Sequence, residues 1–344
     1  MSAILSIMQK AQEVIVDSSV ASLGKRRVGG IFIRILVLGN WRAVFTGISL
    51  LFVLACTTTA PGQEPPTPTA LPLGGPDYSV ILVTSDLAVG TNRVSFGLID
   101  RDGMPVRTDQ AQVQAVYLPP GQDGGEIRQT AIAQFQQWPP GERGVYVTRL
   151  DFDLPGEGTE ANPGFWGLQV NTTTEAGVVV EAQTAARVAE QSSTPSIGDP
   201  APRSVTPTVR DTDDLSTISS SEIPDPDLYQ LSVDQALDSD KPLVVVFASP
   251  AFCVSATCGP QVNLVGQVKE RNQGEANFIH VEVFVNPHLI KGGRPTSGWS
   301  PVIDEWGMLS EPWTFVIDGN GLVRAKFEQF TPAEEIEAAL LEIL

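Results

Sequence analysis

The chain has 344 residues, of which 42% are hydrophobic, so it is long enough for more than one packed domain. Residues 1–55 hold six of the 22 basic residues and two of the 40 acidic ones, which leaves 16 basic and 38 acidic residues, a formal charge of −22, beyond them. So acidic a chain repels phosphate backbones and anionic headgroups, and nucleic acid is therefore excluded as an expected partner.

The first 55 residues have the layout of a signal peptide or membrane anchor. An uncharged apolar run over 43–55 follows several basic residues and ends at Cys56. The sequence Val53-Leu54-Ala55-Cys56 resembles the lipobox of bacterial lipoproteins, in which the cysteine is lipidated and becomes the first residue of the mature chain. An uncleaved transmembrane helix is the alternative. Both predict a protein anchored in the cell membrane, with the residues after Cys56 outside the cytoplasm.

Three segments of distinct composition follow the leader. Residues 56–76 are rich in Thr, Pro and Gly and predict a tether, because they lack the large apolar side chains that form a core. Residues 77–188 alternate short apolar runs with turn residues. About seven such runs predict an antiparallel β-sandwich, which resembles the immunoglobulin-like modules of bacterial surface proteins. Residues 189–227 carry mainly Ser, Thr, Pro and Asp and predict a second, disordered linker.

Residues 228–344 show an alternating βα pattern. The predicted elements are, in chain order, helix 232–237, strand 242–248, a helix that ends near Arg271, strand 277–285, strands 313–317 and 322–327, and a terminal helix. Ser232 and Thr331 are the predicted N-caps of the first and last helices, and Pro332 is the predicted first residue of the last one. The turn Asp318-Gly319-Asn320-Gly321 predicts a hairpin between the last two strands.

Cys253 and Cys258 follow strand 242–248 directly, where α/β folds place reactive loops. Together with the proline that enters the hairpin, in Glu311-Pro312-Trp313, this order resembles the thioredoxin-like fold over residues 228–344. The resemblance implies that Pro312 follows a cis peptide bond, faces the cysteines and exposes backbone with which substrate peptides pair. The predicted fold class is therefore multidomain: an immunoglobulin-like antiparallel β-sandwich followed by an α/β thioredoxin-like fold.

The cysteine spacing leaves two alignments open, because thioredoxins carry C-x-x-C and this chain has C-x-x-x-x-C. In the first, Cys253 is the exposed nucleophile and Cys258 the resolving thiol. In the second, Cys258-Gly259-Pro260-Gln261 matches C-G-P-C with Gln261 in place of the last cysteine. A cysteine at a helix N-terminus has a lowered pKa, and Cys253 is predicted to gain most from this. The spacing allows a disulfide only if Cys253 lies in the loop before the helix or the first helical turn unwinds.

Thiol-disulfide exchange is the leading functional prediction, without a cofactor and with protein thiols, protein disulfides or a membrane redox protein as partners. Cys253 would attack, Cys258 would resolve and Pro312 would shape the peptide-binding edge. A copper-binding chaperone with Cys253, Cys258 and His288 is one alternative, because thiolates and imidazole suit copper. A non-catalytic interaction protein with a structural disulfide is the other. His280, in the predicted strand 277–285, is favoured as a hydrogen-bonded core or surface histidine over a metal ligand.

Overall fold

The computed structural model describes residues 76–122, 124–138, 141, 143–292, 295 and 298–344. This part of the chain is predominantly β, with two sheets and few helices. The predicted leader, the proposed lipidation site Cys56 and nearly all of the tether 56–76 lie outside the described residues. Within the described ranges, no helix is both long and apolar enough to cross a membrane.

The first sheet contains seven antiparallel strands in the order β1-β2-β5-β4-β3-β6-β7. Its strands are β1 (Tyr78–Leu82), β2 (Gly90–Asp100), β3 (Gln110–Leu118), β4 (Glu126–Trp138), β5 (Arg143–Phe152), β6 (Phe165–Thr173) and β7 (Val179–Ala186). The two edge strands, β1 and β7, also touch, so the sheet wraps nearly into a barrel. Its inward side chains, among them Phe96 and Trp166, form one core. The predicted antiparallel β arrangement of residues 77–188 is confirmed at this level.

The second sheet has four strands in the order β11-β10-β8-β9, of which only β8 and β9 run parallel. Its strands are β8 (Leu243–Ala248), β9 (Asn277–Glu282), β10 (Trp313–Ile317) and β11 (Val323–Glu328). The α-helices of this region are α1 (Val233–Leu237), α2 (Cys258–Arg271), α3 (Pro301–Glu305) and α4 (Ala333–Leu341). All six residues of β8 are buried, because its alternate side chains enter two different hydrophobic cores, one on each face.

Two predicted boundaries differ from the structure. Strand β9 ends at Glu282 and not at 285, because the chain beyond it pairs with a later segment: Ser300 donates its backbone N–H to the Val283 carbonyl at 2.7 Å. Pro332, and not Thr331, is the residue that precedes the first turn of α4. Ser232 caps α1 as predicted, in a capping box with Gln235.

Residues 189–227 differ from the disordered linker that their composition predicts. The segment is hydrogen-bonded to the region that contains the second sheet, and its residues Ser204, Thr206 and Thr208 are buried. The backbone N–H of Thr206 donates to the Ser232 hydroxyl at 2.7 Å, and Thr206 in turn accepts from the Val233 N–H at 3.2 Å. Small hydroxyl side chains that are hydrogen-bonded can be buried without a large apolar surface, and a composition count misses this.

The strands of the first sheet and the second sheet meet through a buried polar junction. Asp86 accepts hydrogen bonds from the backbone of Ser193 and the side chain of Thr194, and it pairs with Lys326 of β11 at 3.4 Å. Burial acts to raise the pKa of Asp86, but hydrogen bonds and the charge of Lys326 together hold that pKa below its usual value. A bidentate ion pair between Arg93 and Glu335, with both N···O distances 3.0 Å, joins β2 to α4.

Candidate functional site

Cys253 and Cys258 form a disulfide at the carboxyl end of β8, with their Cα atoms 5.9 Å apart. Cys253 lies in the loop before α2 and is partly exposed, whereas Cys258 is the first residue of α2 and is fully buried. The Cα separation falls within the ordinary range for a disulfide. A reagent from solvent therefore meets the sulfur of Cys253 and not that of Cys258.

The loop that carries Cys253 is a tight turn anchored on the end of β8. The backbone N–H of Cys253 donates to the Ser249 carbonyl at 3.1 Å, and Ala256 adopts a left-handed conformation with φ of 57°. The hydroxyl of Ser255 lies 3.1 Å from the Cys253 sulfur. The helix begins at Cys258, so the prediction that Cys253 gains most from the helix N-terminus needs correction: Cys258 occupies that position, and Cys253 lies five residues earlier in the loop.

Glu311 is the polar group that faces this disulfide. One of its carboxylate oxygens and the sulfurs of Cys253 and Cys258 all lie within 4.8 Å of one another. The carboxylate accepts hydrogen bonds from the Ser249 backbone N–H at 2.7 Å and from the Ser249 hydroxyl at 2.9 Å. Burial raises the pKa of Glu311, although both hydrogen bonds act in the opposite direction. A carboxyl group with a raised pKa is thereby held beside the two sulfurs.

Strand pairing explains why Glu311 reaches the cysteine loop. In the antiparallel pair of β8 and β10, Trp313 lies opposite Phe247. The two residues before Trp313 therefore run beside the residues that follow the end of β8, where Ser249 lies. The peptide bond between Glu311 and Pro312 is cis, as the resemblance implies, and Pro312 is buried.

Gln329 secures the Glu311–Pro312 segment. Its backbone N–H donates to the Pro312 carbonyl at 2.8 Å and its side-chain amide donates to the Glu311 carbonyl at 2.6 Å. Gln329 itself has a φ of 62°, which is uncommon for a residue other than glycine. These two hydrogen bonds tie Gln329 to the consecutive backbone carbonyls of Glu311 and Pro312.

Gln261, which takes the place of a second cysteine in the C-G-P-C alignment, is fully buried in α2. Its side-chain amide donates to the Thr314 hydroxyl at 3.2 Å, and its carbonyl oxygen accepts from the Thr331 backbone N–H at 2.9 Å. The side chain bridges α2, β10 and the start of α4. In this position Gln261 has a packing role, and Cys258, the cysteine that the second alignment retains, is fully buried.

Comparisons with known proteins do not assign this chain to a family. No protein-family model matches the chain, and no curated protein matches it. Among solved structures, MtrC from Shewanella baltica OS185 is similar over 57% of this chain, with 10% sequence identity and a TM-score of 0.23. The similar region spans 33% of that chain. At this identity and TM-score, the likeness assigns neither a fold nor a function to this chain.

His288 does not join the cysteines. In the described part of the chain, the three-member group of potential ligand atoms around the sulfurs contains Glu311 and not His288. His288 is exposed, in the short 3-10 turn Pro287–Leu289. The predicted copper site therefore lacks its imidazole in this structure.

His280 is a core histidine, as predicted. Its Nε2 lies 3.0 Å from the carbonyl oxygen of Ala248 and therefore carries the proton, and its Nδ1 accepts from the Tyr229 hydroxyl at 2.6 Å. Burial lowers the pKa of His280 to about 4, so the ring is neutral. At the end of the same strand, burial raises the pKa of Glu282 to about 7, against the hydrogen bonds from the Ser220 segment.

Sequence reasoning identified the cysteines and Pro312 but missed Glu311, Ser249 and Gln329. A signal for Glu311 did exist, because a carboxylate directly before the proline that enters a buried hairpin is an unusual choice for an apolar strand start. Ser249 and Gln329 carried no such signal. Their roles depend on strand register and on a left-handed backbone, neither of which is visible in the sequence.

Proposed function

We propose that residues 228–344 form a thioredoxin-like domain that exchanges disulfides through Cys253 and Cys258. In this proposal the domain is held outside the cytoplasm, at the cell membrane, by lipidation of Cys56 or by an N-terminal helix. Its partners are protein thiols and disulfides or a membrane redox protein. The observation that carries the proposal is a disulfide with one accessible and one buried sulfur, beside the carboxylate of Glu311.

The order of elements supports the thioredoxin-like fold. A parallel β8-α2-β9 unit is followed by the antiparallel hairpin of β10 and β11 and by α4, and the cysteines lie at the first strand-to-helix junction. For the preceding region we propose an immunoglobulin-like sandwich. With its strands lettered A to G in chain order, the sheet order is A-B-E-D-C-F-G, and constant-type immunoglobulin domains place ABED in one sheet and CFG in the other.

The exchange reaction follows from the unequal exposure of the sulfurs. A substrate thiolate attacks the sulfur of Cys253, a new sulfur–sulfur bond forms, and the Cys253–Cys258 bond breaks with its electron pair on Cys258. Protonated Glu311 gives its proton to the Cys258 thiolate. A second substrate thiolate then attacks the substrate sulfur of the mixed disulfide and releases Cys253. The substrate dithiol is oxidised and the cysteine pair is reduced. In the reverse direction, Glu311 takes the proton from Cys258.

The redox potential of the cysteine pair is the first test. We would use the full-length protein with Cys56→Ser, so that only Cys253 and Cys258 titrate, and trap thiols in glutathione buffers of graded poise. A midpoint above roughly −250 mV, the range of catalytic disulfides, supports exchange. A midpoint below roughly −300 mV indicates a structural disulfide and contradicts the proposal.

The roles of the individual groups are tested by variants. Cys258→Ser is expected to trap substrates as mixed disulfides on Cys253, whereas Cys253→Ser traps none. Glu311→Gln is expected to slow exchange by roughly a hundredfold, the lower end of general acid–base contributions, because it can neither give nor take the proton. Glu275→Gln, the same change at an exposed carboxylate, is expected to leave the rate nearly unchanged. Equal rates for both glutamine variants would remove Glu311 from the mechanism.

A further inference from the structure

The reduced form of the disulfide offers a metal site. Cys253, Cys258 and Glu311 each present one ligand atom, and these three atoms lie within 4.8 Å of one another. We propose that, once the disulfide is reduced, these residues bind a zinc ion with one coordination position left open. The proposal shares with the proposed exchange function only the need for the disulfide to open, and it does not depend on any substrate of that reaction.

The distances suit a tetrahedral zinc ion. Zinc binds sulfur at about 2.3 Å and carboxylate oxygen at about 2.0 to 2.2 Å, which places two sulfur ligands about 3.7 Å apart. Three atoms within 4.8 Å of one another need only small side-chain rotations to reach this arrangement. Cys253 has freedom for such a rotation because its loop is partly exposed, while Cys258 is fixed on the first turn of α2.

The donor set favours zinc over copper. Two thiolates alone suit either metal, but the third donor is a carboxylate, which zinc accepts and cuprous copper disfavours. The imidazole that a copper site would use, His288, does not belong to the group. Ser249 orients the Glu311 carboxylate through its backbone N–H and its hydroxyl, and such outer hydrogen bonds hold a ligand in place for its metal.

The binding reaction balances without further oxidation or reduction of the metal. A dithiol reductant reduces the Cys253–Cys258 disulfide. The reductant is itself oxidised to a disulfide, and two thiols remain on the protein. Zinc, which stays divalent, then displaces the two thiol protons and binds the thiolates together with the Glu311 carboxylate. The site that results has three protein ligands and one open position, which is the pattern of zinc sites that bind water or a substrate.

Zinc affinity is measured by competition with a chromophoric chelator. The full-length protein with Cys56→Ser is reduced with a dithiol, which is then removed under anaerobic conditions, and the oxidised protein is treated in parallel. We expect one zinc ion per reduced chain and none per oxidised chain. Glu311→Gln is expected to weaken binding at least about tenfold, since even the loss of an outer hydrogen-bond partner of a ligand costs that much. The controls Glu275→Gln and His288→Ala are expected to bind as the parent protein does.

A second measurement needs no glutamate variant and so does not depend on how such a variant folds. Cobalt added to the reduced parent protein is expected to give the intense thiolate charge-transfer and tetrahedral ligand-field bands of a two-sulfur site. Zinc at a hundred times its dissociation constant should also raise the midpoint potential of the cysteine pair by about 60 mV, because it stabilises the reduced form a hundredfold and each tenfold is about 30 mV.

Several results would overturn the zinc site. Reduced protein that competes for zinc no better than oxidised protein rules it out, as does a cobalt spectrum without thiolate bands. Full binding by Glu311→Gln, together with loss of binding by His288→Ala, would replace it with the copper-type donor set. The potential measured in zinc-free buffer tests disulfide exchange separately, so failure of the metal site and failure of the exchange function give different results.

Discussion

Glu282 and His280 lie two residues apart on β9 and give the free energy of unfolding opposite dependences on pH. Glu282 has a pKa of about 7 in the folded protein, raised by burial from its ordinary value of 4.5. Below pH 4.5 this carboxyl is protonated in both states. As the pH rises toward 7, the unfolded chain loses the proton first, so stability present at low pH is lost. At about 1.4 kcal/mol per pH unit, the loss is about 3 kcal/mol.

His280 acts in the other direction. Burial lowers its pKa from 6.5 to about 4, so the folded protein keeps a neutral ring where the unfolded chain takes up a proton. Its contribution is complete above pH 6.5 and is lost as the pH falls to 4, again by about 3 kcal/mol. Between pH 4.5 and 6.5 the two contributions cancel. The free energy of unfolding of the wild type therefore shows neither contribution in this interval. A variant that removes one of the two groups shows the pH dependence of the other.

The Glu282→Gln variant separates the two contributions, because glutamine resembles the protonated carboxyl at every pH. We would measure the free energy of unfolding by urea denaturation, followed by tryptophan fluorescence, at half-unit steps from pH 4.5 to 7.5. The stability of Glu282→Gln relative to wild type is expected to rise by about 3 kcal/mol across this range. His280→Gln is expected to change in the opposite direction, mainly below pH 6.5. The exposed control Glu275→Gln should follow the wild-type curve.

Parallel curves for wild type and Glu282→Gln would refute the reasoning. They would mean that Glu282 is ionised in the folded protein, and that the hydrogen bonds from Ser220, Val283 and Phe284 outweigh the burial of the carboxylate. The size of the offset between the two curves at any one pH does not report the titration, because a change of hydrogen-bond pattern acts equally at every pH; only the change of that offset with pH does.

Three further substitutions test the packing of the molecule, each by urea denaturation. Arg93→Ala leaves the carboxylate of Glu335 without its bidentate partner at a mostly buried junction, and we expect the free energy of unfolding to fall by about 3 kcal/mol. A fall below about 1 kcal/mol would mark the ion pair as energetically neutral. Gln261→Ala creates a cavity and leaves a buried backbone N–H unpaired, so a loss of about 3 kcal/mol is expected, and an unchanged stability would mean that water replaces the amide. Gly307→Ala should lower the free energy of unfolding by more than about 2 kcal/mol, since a Cβ there would clash with the backbone of the 189–227 segment. The control Gly177→Ala, at an open turn of similar positive φ, should lower it by about 1 kcal/mol. Equal losses would show that the contact at Gly307 yields.

The elements that the sequence predicts well are those whose local pattern has one physical solution. Strand β8 is an unbroken apolar run because both of its faces are buried, and the hairpin of β10 and β11 surrounds a turn that few other conformations accommodate. Residues 189–227 defeat the same approach. Their burial rests on hydrogen-bonded Ser and Thr side chains that find partners only after the sheets have formed.

The candidate site divides in the same way. The sequence places Cys253 and Cys258 after a buried strand, and the structure joins them in a disulfide. Glu311 enters the site through the antiparallel register of β8 and β10, which brings together residues about sixty positions apart in the chain. No local pattern encodes that proximity. The prediction that Cys253 gains most from the helix N-terminus fails for a related reason, because the length of the turn after Ser249 depends on where its hydrogen bonds close.

The Asp86 junction limits how freely the parts of this protein can be exchanged. Its carboxylate accepts hydrogen bonds from residues 192–194 and pairs with Lys326. Three stretches that are distant in the sequence, around residues 86, 193 and 326, therefore meet at one carboxylate. A fragment that begins at Glu190 would keep Lys326 but lose the charge that neutralises it. Replacement of the first sheet by a foreign β-domain would fail in the same way unless that domain carried an equivalent acid. The two sheets are therefore expected to be inherited as one unit and not as interchangeable modules.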